Sequence, residues 1–314
     1  MKSQHPEIRF SKIDQHDLTE LTALARANGG SRQFSEAFIE HLYFNNPSKS
    51  YSLWKATLEG YIEGYATTNN FQFRINDKLC WVAMPQNVLT SHKLRGKGVF
   101  QLLYQKTELD NIDQKKVDYF ITFTNELSTP IFLKKFGYIN GKCPDVLISL
   151  FNPFHLLLNV QYKRIESLDL LHHDECHSMN NSMLKSKEYY QWRYSKYEKD
   201  KLHILSVSKG DRKIGYAVLL SNKKKGLKFL MLTDIICPNT QDMAVVVDAC
   251  KKHATHQFYP FMMMFDLATS LKKGLTTFSI INRFNFLVKG KNQDDTMMLS
   301  KTNFNLFLGD TDFI

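Results

Sequence analysis

The chain has 314 residues, 43% of them hydrophobic and 23% charged, and it carries a formal net charge of +10 at pH 7. This composition excludes a disordered or collagen-like chain and is typical of a globular protein long enough for two domains. The positive charge favours an anionic partner, such as a phosphorylated cofactor, but the dispersed basic residues form no aromatic–basic motif, so we expect no nucleic-acid partner.

The first half of the chain alternates helix-like and strand-like segments. Leu18, Leu21 and Leu24 recur at helical spacing, whereas residues 117–123 form an apolar run typical of a buried strand. The predicted elements are a strand at 7–13, helices at 18–25 and 34–44, strands at 51–58, 61–73 and 79–89, a helix ending near 109, a strand at 117–123, a helix opening at 125–128 and a strand at 146–150.

A basic turn separates the strand at 79–89 from the following helix. Gly96 and Gly98 lie in it, and Lys93, Arg95 and Lys97 surround them with positive charge. The first N–H groups of a helix have no intrahelical partner, and together with the helix dipole they make an anion site. Glycines let the backbone approach a phosphate closely. From these residues alone, a basic surface loop without a ligand is an equal alternative.

This turn resembles the acyl-CoA loop of the GNAT N-acetyltransferases, whose pattern is Gln/Arg-x-x-Gly-x-Gly/Ala. Lys93 stands at the Gln/Arg position, so a point charge replaces a planar fork of donors. The order of elements in residues 1–150 also resembles a complete GNAT domain. The resemblance therefore predicts an α/β (α+β) domain over 1–150 that binds acetyl-CoA as co-substrate.

The resemblance implies where the cofactor lies. An acyl-CoA would fit a notch where the strands at 79–89 and 117–123 splay apart, with its pyrophosphate on the loop. The implied cofactor-binding residues are Val88, Leu89, Thr90, Lys93, Arg95, Gly96, Lys97, Gly98, Val99, Asn125, Ser128 and Phe132. Asn125 suits a helix cap equally well, and the two roles are compatible.

The general acid is the position where the sequence departs from the family. Many GNAT enzymes place a tyrosine seven residues after the asparagine that corresponds to Asn125, to protonate the departing thiolate, and Phe132 stands there. Tyr138 is the nearby alternative. Otherwise water protonates the thiolate, another residue substitutes, or the domain does not catalyse.

Glu63 is the predicted catalytic base, since an inward carboxylate on a central strand would have a raised pKa. Glu59 and His92 are alternatives by location. Some Eis-like enzymes use their C-terminal carboxylate, which here belongs to Ile314.

The second half repeats the order of the first but contains no basic Gly-x-Gly turn. After the predicted strand at 227–236 comes Cys237-Pro-Asn-Thr-Gln-Asp242 instead. The other predicted elements are a strand at 162–167, a helix at 168–183, a hairpin at 202–208 and 213–220, a helix at 240–253, a strand at 261–265, a helix ending near 273 and a strand-like alternation at 299–308.

Two segments resemble the tandem GNAT subgroup, which includes Eis-like enzymes and acetyltransferases of polysaccharide gene clusters. They are Lys187-Glu-Tyr-Tyr-Gln-Trp-Arg-Tyr194 and the terminal Gly309-Asp-Thr-Asp312. Trp192 and Arg193 are candidate substrate residues, because an aromatic ring can stack on a sugar, with domain packing as the alternative. The run His172–His177 contains metal-ligand types without a second cluster, so we expect no metal.

These observations predict two tandem GNAT-like domains, 1–150 and 151–314, each a mixed, mostly antiparallel sheet flanked by helices. The predicted activity is acetyl transfer from acetyl-CoA to a small primary amine, such as an amino sugar or its nucleotide conjugate, by direct attack in a ternary complex. The alternatives are a non-catalytic acyl-CoA- or partner-binding module and a FemABX-like aminoacyl transferase.

The predicted location is the cytoplasm. The first residues contain no apolar run typical of a signal peptide, and no run reaches the length of a membrane span. The five cysteines show no pairing pattern, which favours free thiols in a reducing compartment. No oligomeric state is predicted from the sequence.

Overall fold

The computed structural model describes residues 7–29, 34–170, 179–238, 240–266, 276–280 and 285–311. The chain folds into two compact units, each formed by several segments. Unit 1 comprises Met1–Gln72, Cys80–Gly141 and Asn285–Lys301, and unit 2 comprises Phe73–Leu79, Lys142–Phe284 and Thr302–Ile314.

Unit 1 is built on one mixed sheet whose strands follow the order β1-β2-β3-β4-β5-β15-β6. The strands are β1 (Ile8–Lys12), β2 (Tyr51–Leu58), β3 (Tyr61–Ile75), β4 (Lys78–Thr90), β5 (Tyr119–Thr124), β6 (Ile139–Asn140) and β15 (Asn285–Gly290). The neighbours β4 and β5 are parallel. The pairs β1–β2, β2–β3, β5–β15 and β15–β6 are antiparallel.

The helices of unit 1 pack with buried faces. They are α1 (Leu18–Ala27), α2 (Glu36–Ile39), which continues as a π-helix over Glu40–Phe44, α3 (Val99–Asp113), α4 (Thr129–Lys135) and α7 (Gln293–Lys301). The predicted face of α1 is buried and apolar, whereas the buried face of α3 is mixed and includes Thr107, Glu108, Asp110 and Asn111. At its start, the Asp14 carboxylate accepts a hydrogen bond from the His16 N–H at 2.8 Å, and Asp17 accepts one from the Asp14 N–H at 2.9 Å. These bonds satisfy orphan donors at the helix entry.

Unit 2 contains a second mixed sheet. The order of its strands is β14-β7-β13-β12-β11-β10-β8. The strands are β7 (Val146–Leu150), β8 (Gln161–Ile165), β10 (Leu202–Lys209), β11 (Arg212–Lys224), β12 (Leu227–Ile236), β13 (Phe261–Phe265) and β14 (Thr277–Ile280). A two-residue strand, β9 (Ser182–Met183), pairs with Phe73 and Arg74 at the end of β3. The helices are α5 (Lys187–Tyr194) and α6 (Met243–His256), and apolar side chains of α6 join the core cluster of this sheet.

The observed strand pairing differs from the sequence-based division of the chain at residue 150. The segment Val146–Leu150, expected to complete the first domain, pairs with β13 and β14 in unit 2. Its place in unit 1 is taken by Asn285–Gly290, which lies between β5 and β6. Both segments contain a short apolar run, Val146–Ile148 and Phe286–Val288, so local pattern does not decide which sheet each one joins.

Two further expectations are corrected. The predicted helix at 168–183 is a 3₁₀ turn at Leu168–Leu170 followed, beyond residues 171–178, which lie outside the described residues, by the short strand β9. The alternation predicted at 299–308 begins instead inside α7. The sequence pattern did not indicate β14, β15 or α7. The helix expected to end near 273 also lies outside the described residues. No helix within the described residues is long and apolar enough to cross a membrane.

A buried pair of histidines lies in unit 2 between β10 and α6. Nδ1 of His203 and Nε2 of His253 are 2.9 Å apart, and the two rings are T-shaped. Burial lowers the pKa of His203 to about 4, and the charge of Arg164 adds to this effect. Burial lowers the pKa of His253 to about 3, with the charges of His203 and Arg164 contributing. Both imidazoles are therefore neutral in the folded protein at neutral pH.

The free energy of unfolding of unit 2 is expected to fall as the pH drops below about 6.5, because unfolded histidines then bind protons that the folded pair excludes. The loss accumulates down to the folded pKa values, at about 1.4 kcal/mol per pH unit for each histidine. Urea unfolding followed by circular dichroism at pH 7.5, 6 and 5 measures this slope. His253→Met should reduce the slope by about one proton, whereas the exposed His16→Asn should leave it unchanged. An equal slope in His253→Met and the parent would contradict the assignment.

Candidate functional site

The basic turn connects the end of β4 to the start of α3. A short 3₁₀ turn, His92–Leu94, leads into it, and Gly98 precedes the first residue of the helix. The side chains of Leu94 and Val99 are buried on either side, whereas Arg95 and Lys97 are exposed. Two apolar anchors therefore hold the turn at the surface of unit 1.

Both glycines of the turn adopt a left-handed backbone conformation. Gly96 has φ +75° and Gly98 has φ +73°, and a Cβ atom on either would meet no atom within 4 Å. The requirement for glycine is therefore conformational rather than steric. No side chain caps α3 at Gly98. The first N–H groups of this 15-residue helix therefore face outward as an anion site, with the positive end of the helix dipole behind them.

The uncapped helix end opens into a cleft of about 490 Å³. The opposite wall is α4, and three cationic side chains line the cleft: Arg95, Lys134 and Lys135. The other lining residues are Thr90, Leu94, Gly96, Gly98, Val99, Phe100, Gln101, Pro130 and Ile131. The cleft thus combines backbone donors and positive charge with an apolar floor, a combination that suits a phosphorylated ligand with an organic tail.

The strands next to the cleft pair over a short stretch. In the part of unit 1 from Lys78 to Thr124, β4 and β5 pair only at Val82 with Tyr119 and at Ala83 with Phe120. Beyond this point the Thr122 hydroxyl donates to the Pro85 carbonyl at 3.1 Å. Residues 84–86 of β4 are buried, and residues 87–90, which include the predicted contacts Val88, Leu89 and Thr90, are partly exposed. Backbone pairing between β4 and β5 is therefore limited to these two positions, and the notch implied by the resemblance stays a prediction.

Asn125 and Ser128 form the turn that starts α4. Oδ1 of Asn125 accepts hydrogen bonds from the N–H groups of Leu127 at 3.0 Å and Ser128 at 2.9 Å, and from the Ser128 hydroxyl at 3.0 Å. Asn125 therefore caps the turn that precedes α4, whereas Ser128, the N-cap residue of the helix, makes no side-chain cap hydrogen bond. Cofactor contact by these residues stays a prediction, and the exposed Nδ2 group of Asn125 can still donate to a ligand.

Phe132 packs into the core instead of lining the cleft, which corrects its assignment to the cofactor. Its ring centroid lies 5.0 Å from that of Tyr104, 5.5 Å from that of Phe136 and 5.1 Å from that of Tyr138. The preceding residues of the same helix, Pro130 and Ile131, reach the cleft. Helical rotation puts Phe132 on the inward face of α4.

Tyr138 is likewise wrong as a catalytic acid. The residue is only 1% exposed, and its hydroxyl is 2.5 Å from the hydroxyl of Tyr104. Burial raises the pKa of both hydroxyls well above the usual value. A phenol enclosed in this aromatic cluster has no path to a thiolate in the cleft.

Glu63 is buried beside the turn, but its pKa is not raised as predicted. Its carboxylate lies 2.5 Å from the Lys93 ammonium. Burial acts to raise the pKa of Glu63, but hydrogen bonds from Lys93 and Ser91 together with the charge of Lys93 outweigh it, so the net effect is a lowered pKa. The same contact raises the pKa of Lys93. The Glu63 carboxylate is therefore ionised at neutral pH and paired with Lys93. This corrects the prediction of a catalytic base with a raised pKa.

Glu63 also holds the turn through its backbone. The register of β2 against β3 shifts so that Ala56 faces Gly64 and Thr57 faces Ile62, which leaves Glu63 as the extra residue of a β-bulge. Its carbonyl accepts a hydrogen bond from the Ser91 N–H at 2.8 Å. The bulge therefore aims the carboxylate at Lys93 and ties the start of the turn to the central strand.

The other residues predicted as the catalytic base are exposed or lie outside the described residues. Glu59 and His92 are exposed. Ile314 and the run His172–His177 lie outside the described residues, and no group of acidic, histidine and cysteine side chains that could hold a metal occurs within the described part of the chain.

Trp192 and Arg193 are buried inside unit 2, which corrects their assignment to a substrate. The Trp192 ring packs against that of Tyr189 with centroids 5.6 Å apart. Nη2 of Arg193 donates to the Thr311 carbonyl at 2.5 Å. Neither side chain presents a face on which a sugar could stack, so the Trp-Arg-Tyr segment anchors the end of the chain.

The two motifs of unit 2 meet in one buried ionic cluster. The Lys185 ammonium pairs with Asp234 and with Asp310, and the Tyr194 hydroxyl donates to Asp234. Burial and the charge of Asp310 raise the pKa of Asp234 to about 6 in spite of Lys185. A Cβ atom on Gly309 would lie 2.6 Å from the Asp234 carboxylate, so only glycine fits there. The terminal Gly-Asp sequence is therefore a packing feature of unit 2.

Sequence reasoning missed Lys134 and Lys135 as cleft residues. They form a Lys-Lys pair in the last turn of α4, where the helix dipole favours cations. This Lys-Lys pair was the sequence signal that could have identified them as cleft residues. Its approach to the loop, however, depends on the packing of α4 beside α3, which local sequence does not specify.

No family model matches the sequence, and neither does any curated protein. Solved structures, in contrast, do match this chain. A GCN5-related N-acetyltransferase from Anabaena variabilis matches with a TM-score of 0.69 at 12% identity, over 91% of this chain and 73% of that chain. One from Kribbella flavida gives a TM-score of 0.63 at 14% identity, over 91% of this chain and 71% of that chain. Eis1 from Mycobacterium abscessus gives 0.63 at 12% identity, over 91% and 73%.

This chain has the GNAT fold. The matched region extends over both units, and each unit is a mixed sheet flanked by helices, as the sequence predicted. At these identities the likeness is one of fold, so the site residues of the GNAT-like unit 1 are argued from its own geometry.

The second GNAT-like unit places an acid where the first places its glycine turn. Asp242 immediately precedes α6 and is buried, and its carboxylate pairs with Arg212 at 2.8 Å. A carboxylate at a helix N-terminus satisfies the dipole and repels other anions. The helix end of unit 2 is therefore unsuited to phosphate, in contrast to that of α3.

Tyr138→Phe should lower the free energy of unfolding by about 1–2 kcal/mol, because it leaves the buried Tyr104 hydroxyl without its partner. Tyr104→Phe is the matched variant and should cost a similar amount. Neither change should alter the rate of thioester cleavage by more than about twofold, whereas loss of a general acid typically costs 100-fold or more. Urea unfolding and a thiol-release assay measure the two effects. A loss of that size in Tyr138→Phe alone would restore Tyr138 as the acid.

Proposed function

We infer that unit 1 binds acetyl-CoA in the cleft and transfers the acetyl group to a primary amine. The observation that carries this inference is the uncapped N-terminus of α3, which opens into a basic cleft beside two strands that pair at only two positions. The GNAT fold supports the same conclusion, since solved structures that share it are named as N-acetyltransferases.

The chain offers a separate group for each part of this ligand. The N–H groups of Gly96, Gly98 and Val99 would bind a pyrophosphate, whereas the Lys97 N–H already donates to the Leu94 carbonyl at 3.3 Å. Arg95, Lys134 and Lys135 would neutralise the phosphates. The exposed backbone edge of Val88–Thr90 can pair with the amides of a pantetheine arm, as an added strand would. The pantetheine arm would end near Asn125 and Ser128, at the start of α4.

Catalysis would rest mainly on orientation. The amine nitrogen forms a bond to the thioester carbonyl carbon, the C–S bond breaks, and the thiolate leaves while the nitrogen releases a proton to solvent water. Holding the two reactants in contact supplies much of the barrier reduction, and backbone donors stabilise the oxyanion. With Phe132 and Tyr138 in the core, the thiolate would take its proton from water, which a thiolate leaving group tolerates.

The acceptor is proposed as a small amine, and an amino sugar or its nucleotide conjugate is the specific candidate. This choice rests on the likeness of the Trp-Arg-Tyr segment and the Gly-Asp ending to the tandem subgroup, which is an analogy of fold and motif. The cytoplasm is the proposed location, because Cys80, Cys143, Cys237 and Cys250 are free thiols.

A non-catalytic acyl-CoA-binding module is the second candidate. The specific observation in its favour is that Tyr138, the candidate general acid, and Phe132, which stands at the family's acid position, are both enclosed in the aromatic core. The two functions share the cleft and differ in turnover.

Gly98→Val should weaken binding of CoA by at least about tenfold, because a β-branched residue does not tolerate φ +73° and the helix N–H groups would turn away from the ligand. Isothermal titration calorimetry with CoA measures the change. Gly60→Val is the matched control: Gly60 has φ +87° with equally open surroundings, and lies in the β2–β3 turn. If both variants bind CoA like the parent, the cofactor assignment is wrong.

Turnover distinguishes the two functions. Release of CoA thiol from acetyl-CoA is measured with a panel of amines that includes amino sugars, nucleotide-linked amino sugars and simple alkyl amines. We expect amine-dependent release together with an N-acetylated product detected by mass spectrometry. Tight CoA binding without release on any amine would instead establish the binding module.

Glu63 is expected to act as a positioning residue through Lys93. Glu63→Gln should raise the KM for acetyl-CoA several-fold with little change in kcat, because the turn loses its tie to β3. Lys93→Met should do the same, and the double variant should be no worse than either single one, since the two side chains act as a pair. If Glu63→Gln instead lowers kcat and changes the pH profile of kcat regardless of Lys93, Glu63 is the catalytic base.

A further inference from the structure

The cleft of unit 1 has cationic side chains on both of its walls. Arg95 lies in the basic turn next to Gly96, whereas Lys134 and Lys135 lie on the opposite wall, at the end of α4. None of the described residues that line the cleft is an aspartate or a glutamate. A ligand in the cleft therefore meets positive charge from two sides.

The two lysines on α4 have no partner within the described part of the chain. Neither Lys134 nor Lys135 forms an ion pair or a side-chain hydrogen bond there. In contrast, Lys289 of the same unit pairs with Glu108. Glu126, the nearest acid in the sequence, is exposed before the start of α4 and pairs with neither lysine. Both ammonium groups can therefore bind an anion.

The packing of α4 fixes the side on which the lysines lie. Pro130 and Lys134 are four positions apart, as are Ile131 and Lys135, so all four residues lie on one side of the helix and line the cleft. The other side carries Phe132, which is 3% exposed and belongs to the aromatic core. The helix cannot turn the lysines away from the cleft without exposing this ring.

The pyrophosphate of CoA does not require these lysines. In the proposed function it is bound by N–H groups of the turn and neutralised by Arg95, which adjoins them. Of the other cations in the turn, Lys93 is paired with Glu63, and Lys97 does not line the cleft. The lysines of α4 are therefore left for a further anionic group of the ligand.

CoA carries such a group, the phosphate on the 3′ position of its ribose. This phosphate is a monoester and holds a charge of about −2 at neutral pH, which two ammonium groups match. Lysine suits it, because a point charge on a flexible stem needs no fixed planar orientation of the phosphate oxygens. Dephospho-CoA differs from CoA by the loss of this phosphate alone.

We propose that Lys134 and Lys135 bind the 3′-phosphate of CoA and make unit 1 select CoA over dephospho-CoA. The proposal rests on the proposed function, since it requires that the cleft binds an acyl-CoA. It names the donor as a thioester of complete CoA. A thioester whose pantetheine arm carries no 3′-phosphate would lose the contact with α4.

Isothermal titration calorimetry of the full chain with CoA and with dephospho-CoA, at one ionic strength, tests the proposal. We expect the parent to bind CoA about tenfold more tightly, a factor limited by the solvent exposure of both lysines. Lys134→Gln combined with Lys135→Gln should reduce this ratio to about two or less and change the affinity for dephospho-CoA by less than about threefold. Lys134→Arg combined with Lys135→Arg keeps the charge and should retain the ratio.

Two further variants separate this role from other effects of charge. Arg95→Gln should weaken binding of both ligands by the same factor, because both carry the pyrophosphate. Lys223→Gln combined with Lys224→Gln removes two exposed lysines from β11 of unit 2, and this variant should bind both ligands like the parent. If the lysines of α4 served only the helix dipole, their replacement would lower the free energy of unfolding and leave the ratio unchanged. Circular dichroism shows whether each variant is folded.

Equal affinity of the parent for the two ligands, or a ratio that the glutamine variant of α4 retains, would overturn the proposal while the cofactor assignment stands. The same loss of ratio in the variant of β11 would also overturn it, because net charge would then explain the effect. If the parent binds neither ligand, the proposed function fails, and the proposal fails with it.

Discussion

The start of α3 sets the constraint on which the candidate site depends. A helix always begins with N–H groups that no residue of the helix can accept, and most helices satisfy them with a side chain. In this chain Gly98 offers none, so the donors are left for a ligand. The buried Leu94 and Val99 keep the turn in place. The bulge at Glu63 fixes its entry, and beside it β4 pairs with β5 at only two positions.

The two units show how one acidic residue changes the use of the same helix end. In unit 1 the charges near the helix start are cationic, and the cleft can attract phosphate. In unit 2 Asp242 takes this place and is itself paired with Arg212. The distinctive motifs of unit 2 stabilise its packing. Lys185 forms ion pairs with both Asp234 and Asp310, which holds the segment around Asp310 in place. The fold is therefore repeated, while the electrostatic prerequisite for an acyl-CoA is present once among the described residues.

The sequence was informative where local chemistry decides the structure. Gly96 and Gly98 could be predicted from their conformational freedom, and both adopt positive φ. The sequence was uninformative where the packing of distant residues decides the structure. Tyr138 was chosen by sequence distance, yet the connection between α4 and β6 places its hydroxyl in the core beside Tyr104. Glu63 was predicted to have a raised pKa, but the approach of Lys93, thirty positions away in the chain, reverses the sign.

The exchange of β7 and β15 has a consequence for how the chain acquires its structure. Unit 1 lacks an interior strand until Asn285–Gly290 exists, because β5 and β6 are joined only through it. During synthesis, the first 284 residues therefore leave the ribosome with an incomplete first sheet. Contacts between β5 and β15 span just over half of the chain, and such long-range pairing slows folding. A fragment that ends at residue 150 would carry the whole basic turn and yet lack the strand that closes its sheet.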